Sequence, residues 1–307
     1  MNENLFKVSS SPHIRGKVTT SNLMLNVIIS LIPTSLAGIY FFGIRALLIL
    51  IFSVCCAVFF EGLWCKLAKK EMCLSDMSAV VTGLILGLNV SSATPLFTLV
   101  VGNAVAIIIV KQLYGGLGHN FINPAMAGRA VMLICWPAIM NIFPNPFGGV
   151  DAVSSATILS GGEAIPVLDM FTGNMQGCIG EVSAVAIIIG GIYLIVTKTI
   201  KPYIPVTYIL TAFVMTYLAG GDGVVGILSG GLMFGAFFMA TDYVTSPLTS
   251  NGQIIMGVGL GVITTVIRIW GGYPEGVTFA ILLMNAATPL IDKVTMPKRY
   301  GKERKNA

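Results

Sequence analysis

Residues 46–65 read ALLILIFSVCCAVFFEGLWC, twenty positions with a single charge at Glu61. At about 1.5 Å per residue a helix of this length covers about 30 Å, the hydrocarbon thickness of a bilayer. Comparable apolar stretches recur from Leu23 to Ile291. They predict spans at 23–42, 46–65, 78–94, 96–110, 124–143, 182–197, 204–219, 224–241, 253–269 and 276–291. The whole composition agrees: 55% of the 307 residues are hydrophobic and 10% charged, against about 25% charged in an ordinary soluble domain. The expected fold class is an all-α integral membrane protein of ten helices.

Working outward, the polar tail 1–22 carries Lys7, His13, Arg15 and Lys17 ahead of the first apolar run. No cleavable signal peptide is visible, and the tail is expected to stay on the mature chain. Five spans (23–143) precede a long polar segment (144–181), five more follow (182–291), and a basic tail (292–307) ends the chain. The net charge of +5 is not gathered into one face, so the chain lacks the basic footprint of a nucleic-acid partner. With ten spans and the N-terminus inside, sixteen of the eighteen Lys and Arg fall on the cytoplasmic side, leaving Arg45 and Arg268 outside. That asymmetry is the positive-inside signature. It predicts a multi-pass protein with both termini cytoplasmic and 144–181 extracytoplasmic.

The six cysteines (55, 56, 65, 73, 135 and 178) form no C-x-x-C pair, and read as small apolar packing residues with no metal site. Only Cys178 is expected in the external loop. The two histidines, His13 and His119, both lie in predicted cytoplasmic segments, which leaves no pair of imidazoles to ligate a haem between spans. Each half also carries a similar pattern: Asp76, a glycine-broken span, Thr94-Pro95-Leu96 and Gly115-Gly116, then Asp222, a glycine-rich span, Ser246-Pro247-Leu248 and Gly271-Gly272. Two inverted five-helix repeats would place a binding site near the midplane where they meet. Chance is the alternative, because Gly and Pro are common in membrane helices.

The segment 145–181 holds Asp151, Glu163, Asp169 and Glu181 with no Lys or Arg. At its centre stands Asp151-Ala152-Val153-Ser154-Ser155-Ala156-Thr157. This run resembles the flavinylation signature Asp-x-x-Ser-Gly-Ala-Thr, with Ser155 standing where the signature has glycine. Two further runs, 123–129 (NPAMAGR) and 239–247 (MATDYVTSP), extend the resemblance over nearly the whole chain. It is to the D subunits of Rnf complexes, the ion-translocating ferredoxin:NAD oxidoreductases; the B subunits of sodium-pumping NADH:quinone reductases are close relatives. The resemblance implies FMN joined through a phosphoester to Thr157 by a flavin transferase, with Asp151, Ser154, Ser155 and Ala156 around it. It also implies a bacterial plasma (inner) membrane as the location, A, B, C, E and G subunits as partners, Na+ or H+ as the coupling ion, and a second flavin, riboflavin or another, held non-covalently. A small-residue exposed loop suits an acceptor hydroxyl that another protein must reach. The similar run Ser91-Ser92-Ala93-Thr94 has Leu88 in place of Asp151 and Pro95 directly after it, so Thr157 is the expected acceptor.

Charged groups within spans are costly and are functional candidates. Arg129 is a candidate for a cofactor phosphate or ring carbonyl, or else snorkels to headgroups. Asp242 is read as an ion-path candidate or a cap. Glu61 is a second ion-path candidate, with Lys66 or Lys69 as its pairing partner. Asp76 and Asp222 are expected to cap helices. No catalytic acid–base set and no metal site is proposed. The expected role is a membrane electron-transfer component that does not turn over alone. The rival readings are a cofactor-free secondary transporter or channel, and a purely structural anchor for redox subunits.

Overall fold

The computed structural model describes residues 19–69, 74–147, 166–271 and 276–297. Among these residues there are helices, turns and irregular chain, with no strand. Thr19 caps α1 (Thr20–Phe42) by accepting from the Asn22 amide, and Gly43, at φ 69°, turns the chain directly into α2 (Ile44–Leu67). A left-handed turn of one residue is open to glycine at little cost. Along with α1 and α2, α12 (Ser250–Trp270) and α13 (Val277–Thr295) are long and apolar enough to cross a membrane. Five shorter apolar helices join them: α3 (Ser78–Leu88), α4 (Leu96–Gln112), α5 (Pro124–Cys135), α8 (Ala184–Val196) and α9 (Tyr203–Leu218).

Three expected spans are interrupted, each for a local reason. The helix begun at Ser78 stops at Leu88 rather than reaching 94, because the Asn89 side-chain amide donates to the Ile85 carbonyl (2.8 Å) and the chain leaves the helix. The expected 124–143 span breaks at Trp136 into α5 and a single turn, α6 (Pro137–Met140); Pro137 has no N–H to continue the ladder. The expected 224–241 span is α10 (Gly223–Leu228), a break at residues 229–231 with Gly230 at φ 63°, then α11 (Leu232–Phe234) and a π turn, Gly235–Met239. Arg268 donates to the carbonyls of Gly226 (2.6 Å) and Ser229 (3.0 Å) at that break. A cation there offsets the negative end of α10 and replaces lost helix bonds. Asp222 caps α10, accepting from the Val224 amide (2.9 Å); Asp76 stands one residue before the N-cap of α3, Met77, and accepts from the Ser78 amide (2.9 Å).

The long polar segment also departs from expectation. Its last third forms α7 (Val167–Thr172) and then turns into the bundle, where the amides of Ile179 and Gly180 donate to the carbonyls of Val90 (3.0 Å) and Leu88 (2.7 Å). Cys178 and Glu181 are therefore buried inside the bundle. Irregular backbone at such depth is tolerated when protein groups satisfy it. The run 151–157, and with it Asp151, Ser154, Ser155, Ala156 and Thr157, lies outside the described residues.

In the packed bundle α2 lies against α3 and α4, α9 against α12, α4 against α5 and α12 against α13. The contacts of α1 with α8 and of α5 with α13 join the first five apolar segments to the rest. Between apolar helices lipid supplies no hydrophobic drive, so close approach and polar contacts hold the pairs. Ser53 of α2 donates to the Gly83 carbonyl of α3 (2.7 Å) and accepts from Asn103 of α4 (3.1 Å). Tyr208 of α9 bonds Thr264 of α12 (2.7 Å). A Cβ on Gly128 would press on the Gly102 carbonyl, and one on Gly190 on the Ser30 carbonyl, so α5–α4 and α8–α1 are set by the absence of side chains.

Gly128→Val is accordingly expected to lower stability by about 1–3 kcal/mol, the usual cost of overpacking, read as an earlier thermal transition of the detergent-purified protein. Gly177→Ala, which would meet nothing within 4 Å, should leave that transition in place.

Candidate cofactor and ion site

The first polar group of the interior lies near the Leu67 end of α2. Glu61 is 1% exposed and accepts from Lys111 Nζ at 2.6 Å and from Gln112 Nε2 at 2.8 Å, both on Oε1. Lys111 also donates to Ser78 Oγ (2.6 Å), the hydroxyl that donates to Asp76. The expected partners Lys66 and Lys69 do not pair with Glu61. They lie at and beyond the end of α2 and are exposed, whereas α4 runs alongside and delivers Lys111 to the same depth. The last two turns of α4, Val105–Gln112, are π-helical, an uncommon turn that often marks a functional position; consecutive residues Lys111 and Gln112 both reach Glu61. Glu61 Oε2 and the neighbouring Trp64 Nε1 are buried with no hydrogen-bond partner among the described residues.

A second ion pair sits deeper. Arg129, in the middle of α5 and 2% exposed, donates to Asn89 Oδ1 (2.6 Å), Glu181 Oε1 (3.2 Å) and Cys178 Sγ (3.3 Å). It does not snorkel to headgroups. Its guanidinium joins the broken end of α3 to the returning segment 178–181. The Glu181 carboxylate in turn lies against Gly231, at the break after α10, where a Cβ would collide with it. Two helix breaks and one loop end thus meet around one arginine. Both pairs are desolvated, at a cost of several kcal/mol per ion, so their contribution is positional more than stabilising.

Between the first five apolar segments and the later ones lies a cleft. Its apolar walls come from α1, α3 and α8 and from Phe237 and Phe238 of the second π turn; its polar groups are Thr82, Lys111, Asn120, Asn123, Thr241 and Asp242. Asn123 caps α5 by accepting from the amides of Ala125 (3.0 Å) and Met126 (3.3 Å), and donates to the Met239 carbonyl (3.2 Å). One residue thus ties the α5 N-terminus to the opposite wall. Asp242, in the turn after the second π segment, accepts from Thr245 Oγ1 (3.1 Å). Loss of water raises its carboxyl above the ordinary range; Thr245 and the amides of Val244 and Tyr243 pull the other way.

Of the residues singled out from sequence, Asp242 lines this cleft and Glu61 stands behind it, joined through Lys111, whereas Arg129 belongs to the separate deeper network. Nothing in the linear sequence singles out Lys111 or Glu181. Lys111 and Arg129 stand among the charges that report orientation, yet both are interior and carry no such information. The available signal is weak: Lys111 follows the unbroken apolar run 104–110, in the last turn of α4. Glu181 has only its position just before an apolar helix. Ser91 to Thr94 proves inaccessible, with Ser91 and Thr94 both buried.

Glu61→Gln leaves Lys111 a buried charge without a carboxylate and is expected to cost about 3–5 kcal/mol, seen as a large drop in thermal midpoint. Adding Lys111→Met should restore most of it; a double variant as unstable as the single one would show that the pair is not the determinant.

Comparison with known proteins agrees with this architecture along the whole chain. A model of the NQR2, RnfD, RnfE family matches residues 7–301. The D subunit of the Na+-translocating ferredoxin:NAD+ oxidoreductase complex of Acetobacterium woodii is 49% identical over 310 residues, 98% of this chain and 97% of that protein. Its counterpart in the proton-translocating ferredoxin:NAD+ oxidoreductase complex of Clostridium ljungdahlii is 41% identical, with 98% of each chain covered. The D subunit of the ion-translocating oxidoreductase complex of Salmonella arizonae is 34% identical, covering 97% of this chain and 99% of that one. With its apolar helices, interior ion pairs and whole-length similarity, the chain belongs to the NQR2, RnfD, RnfE family.

Proposed function

We propose that this chain is the D-type membrane component of an ion-translocating ferredoxin:NAD oxidoreductase, passing electrons between flavins and coupled to Na+ or H+ movement. The single observation that carries the reading is end-to-end similarity, 49% and 41% identity over 98% of the chain, to proteins of that name. The acceptor of covalent FMN is Thr157, with Asp151, Ser154, Ser155 and Ala156 as its recognition context. Burial of the competing Thr94 supports that choice, since a flavin transferase needs an accessible hydroxyl. The other members of the complex would be the A, B, C, E and G subunits, with the Leu67 end of α2 cytoplasmic and the flavin loop on the opposite side.

The cleft is the proposed place for the second, non-covalent flavin. Its mix of aromatic walls with a few polar groups suits a largely apolar ring system with hydrogen-bonding edges. Phe237 and Phe238 would bound the ring; Asn120, Thr82 and Thr241 would offer the polar contacts. A bound flavin supplies one- and two-electron chemistry, and the residues of this chain hold and orient it. Asp242 and Glu61 are the ion-path candidates: one carboxylate on the cleft wall, the other reached through Lys111.

In-gel fluorescence of the denatured protein, co-expressed with a flavin transferase, is expected to give a flavin band that Thr157→Ala abolishes and Thr94→Ala preserves. A dark wild-type band would favour the cofactor-free transporter. Acid-extractable flavin reports the other site. Asn120→Leu should lower it several-fold while leaving the covalent band intact, and Thr157→Ala should do the reverse.

A further inference from the structure

A second cleft opens beside the first and shares Ile200, Thr241 and Tyr243 with it. The Tyr243 hydroxyl, donating to the Thr199 carbonyl, forms part of the dividing wall. Lys198 and Lys201 line this second cleft from the turn between α8 and α9. Both are exposed, and neither makes an ion pair among the described residues. No carboxylate lines this cleft among the described residues; Asp242 accepts from Thr245 and Asp292 from the Leu248 amide (3.1 Å).

The backbone at Lys198 is informative. The Lys198 and Thr199 amides donate to the carbonyls of Ile195 (3.0 Å) and Leu194 (2.9 Å), and Lys198 has φ 56°. This is the Schellman end of a helix, at the position where glycine is normally found. A lysine there keeps a cation at the rim against the conformational preference of its own backbone.

We propose that this cleft binds the headgroup of an anionic glycerophospholipid, with phosphatidylglycerol as the representative. The turn that carries the lysines joins two apolar helices, which puts it at the level of headgroups when those helices are in a bilayer, and basic pockets between membrane helices recognise such headgroups. Lys198 and Lys201 would take the phosphate. Gln253 Oε1, buried and without a hydrogen-bond partner among the described residues, belongs to a residue lining the same cleft and would accept from a headgroup hydroxyl. Leu248, 67% exposed at the rim, offers an apolar seat for the start of an acyl chain. The lipid so held would brace the wall that separates the two clefts.

Native mass spectrometry of the full chain in detergent, titrated with phosphatidylglycerol or phosphatidylcholine, tests this. Wild type is expected to retain phosphatidylglycerol in preference to phosphatidylcholine. Lys198→Ala with Lys201→Ala should weaken phosphatidylglycerol binding about 30-fold, from about 1 kcal/mol for each lysine. Lys198→Gly guards against misfolding: it should raise the thermal midpoint by relieving the left-handed strain, yet weaken phosphatidylglycerol about 5-fold, at about 1 kcal/mol for the lost charge. Equal retention of the two lipids, or a phosphatidylglycerol affinity untouched by both variants, overturns the proposal. Displacement of the lipid by excess inorganic phosphate also overturns it, because the pocket would then be a site for free phosphate.

Discussion

A charge in an apolar bundle must find an opposite charge or a carbonyl, and the interior of this protein is organised by that requirement. Lys111 meets Glu61 across α4 and α2, Arg129 meets Glu181 across α5 and the end of the long polar segment, and Arg268 meets the open carbonyls of α10. The partners are far apart in sequence, so each contact fixes the relative placement of segments that apolar packing would leave free to slide. A salt bridge of this kind specifies geometry at a cost in desolvation.

Irregular backbone follows the same logic. Chain outside a helix exposes N–H and C=O groups that lipid cannot satisfy. The breaks after Leu88 and Leu228 are accordingly buried against protein, and they gather where Arg129, Glu181 and Gly231 meet. Glu181 thus anchors the C-terminal end of the polar segment to both groups of helices. The two π turns, Val105–Gln112 and Gly235–Met239, stand on opposite walls of the first cleft, one bringing Lys111 to it and the other Phe237 and Phe238. Departures from the regular helix are concentrated where the molecule has polar work to do.

Membership of the NQR2, RnfD, RnfE family rests on nearly the whole chain, and within it one short run carries several of the interior contacts. Gly128 and Arg129 lie next to each other in the run 123–129, one permitting α5 to touch α4 and the other holding α3 and Glu181. Asn123 opens the same run and joins the α5 N-terminus to Met239. A short motif therefore serves packing, capping and charge compensation together. The proposed flavin site borders this motif, and the second cleft lies on the far side of Tyr243.

The membrane class, the approximate position of most apolar segments and the cap at Asp222 were legible in the linear sequence. Hydropathy is a sum over neighbours, and a capping bond reaches only two or three residues. The family was legible as well, through the runs around residues 123 and 239. Only tertiary structure decided that Lys111, and not Lys66 or Lys69, neutralises Glu61, that Glu181 is an interior residue, and that Arg129 is held rather than free to snorkel. Those outcomes depend on which distant segments come to the same depth in a medium that penalises an unpaired charge, and a pairing across 50 or 52 positions leaves no local signature.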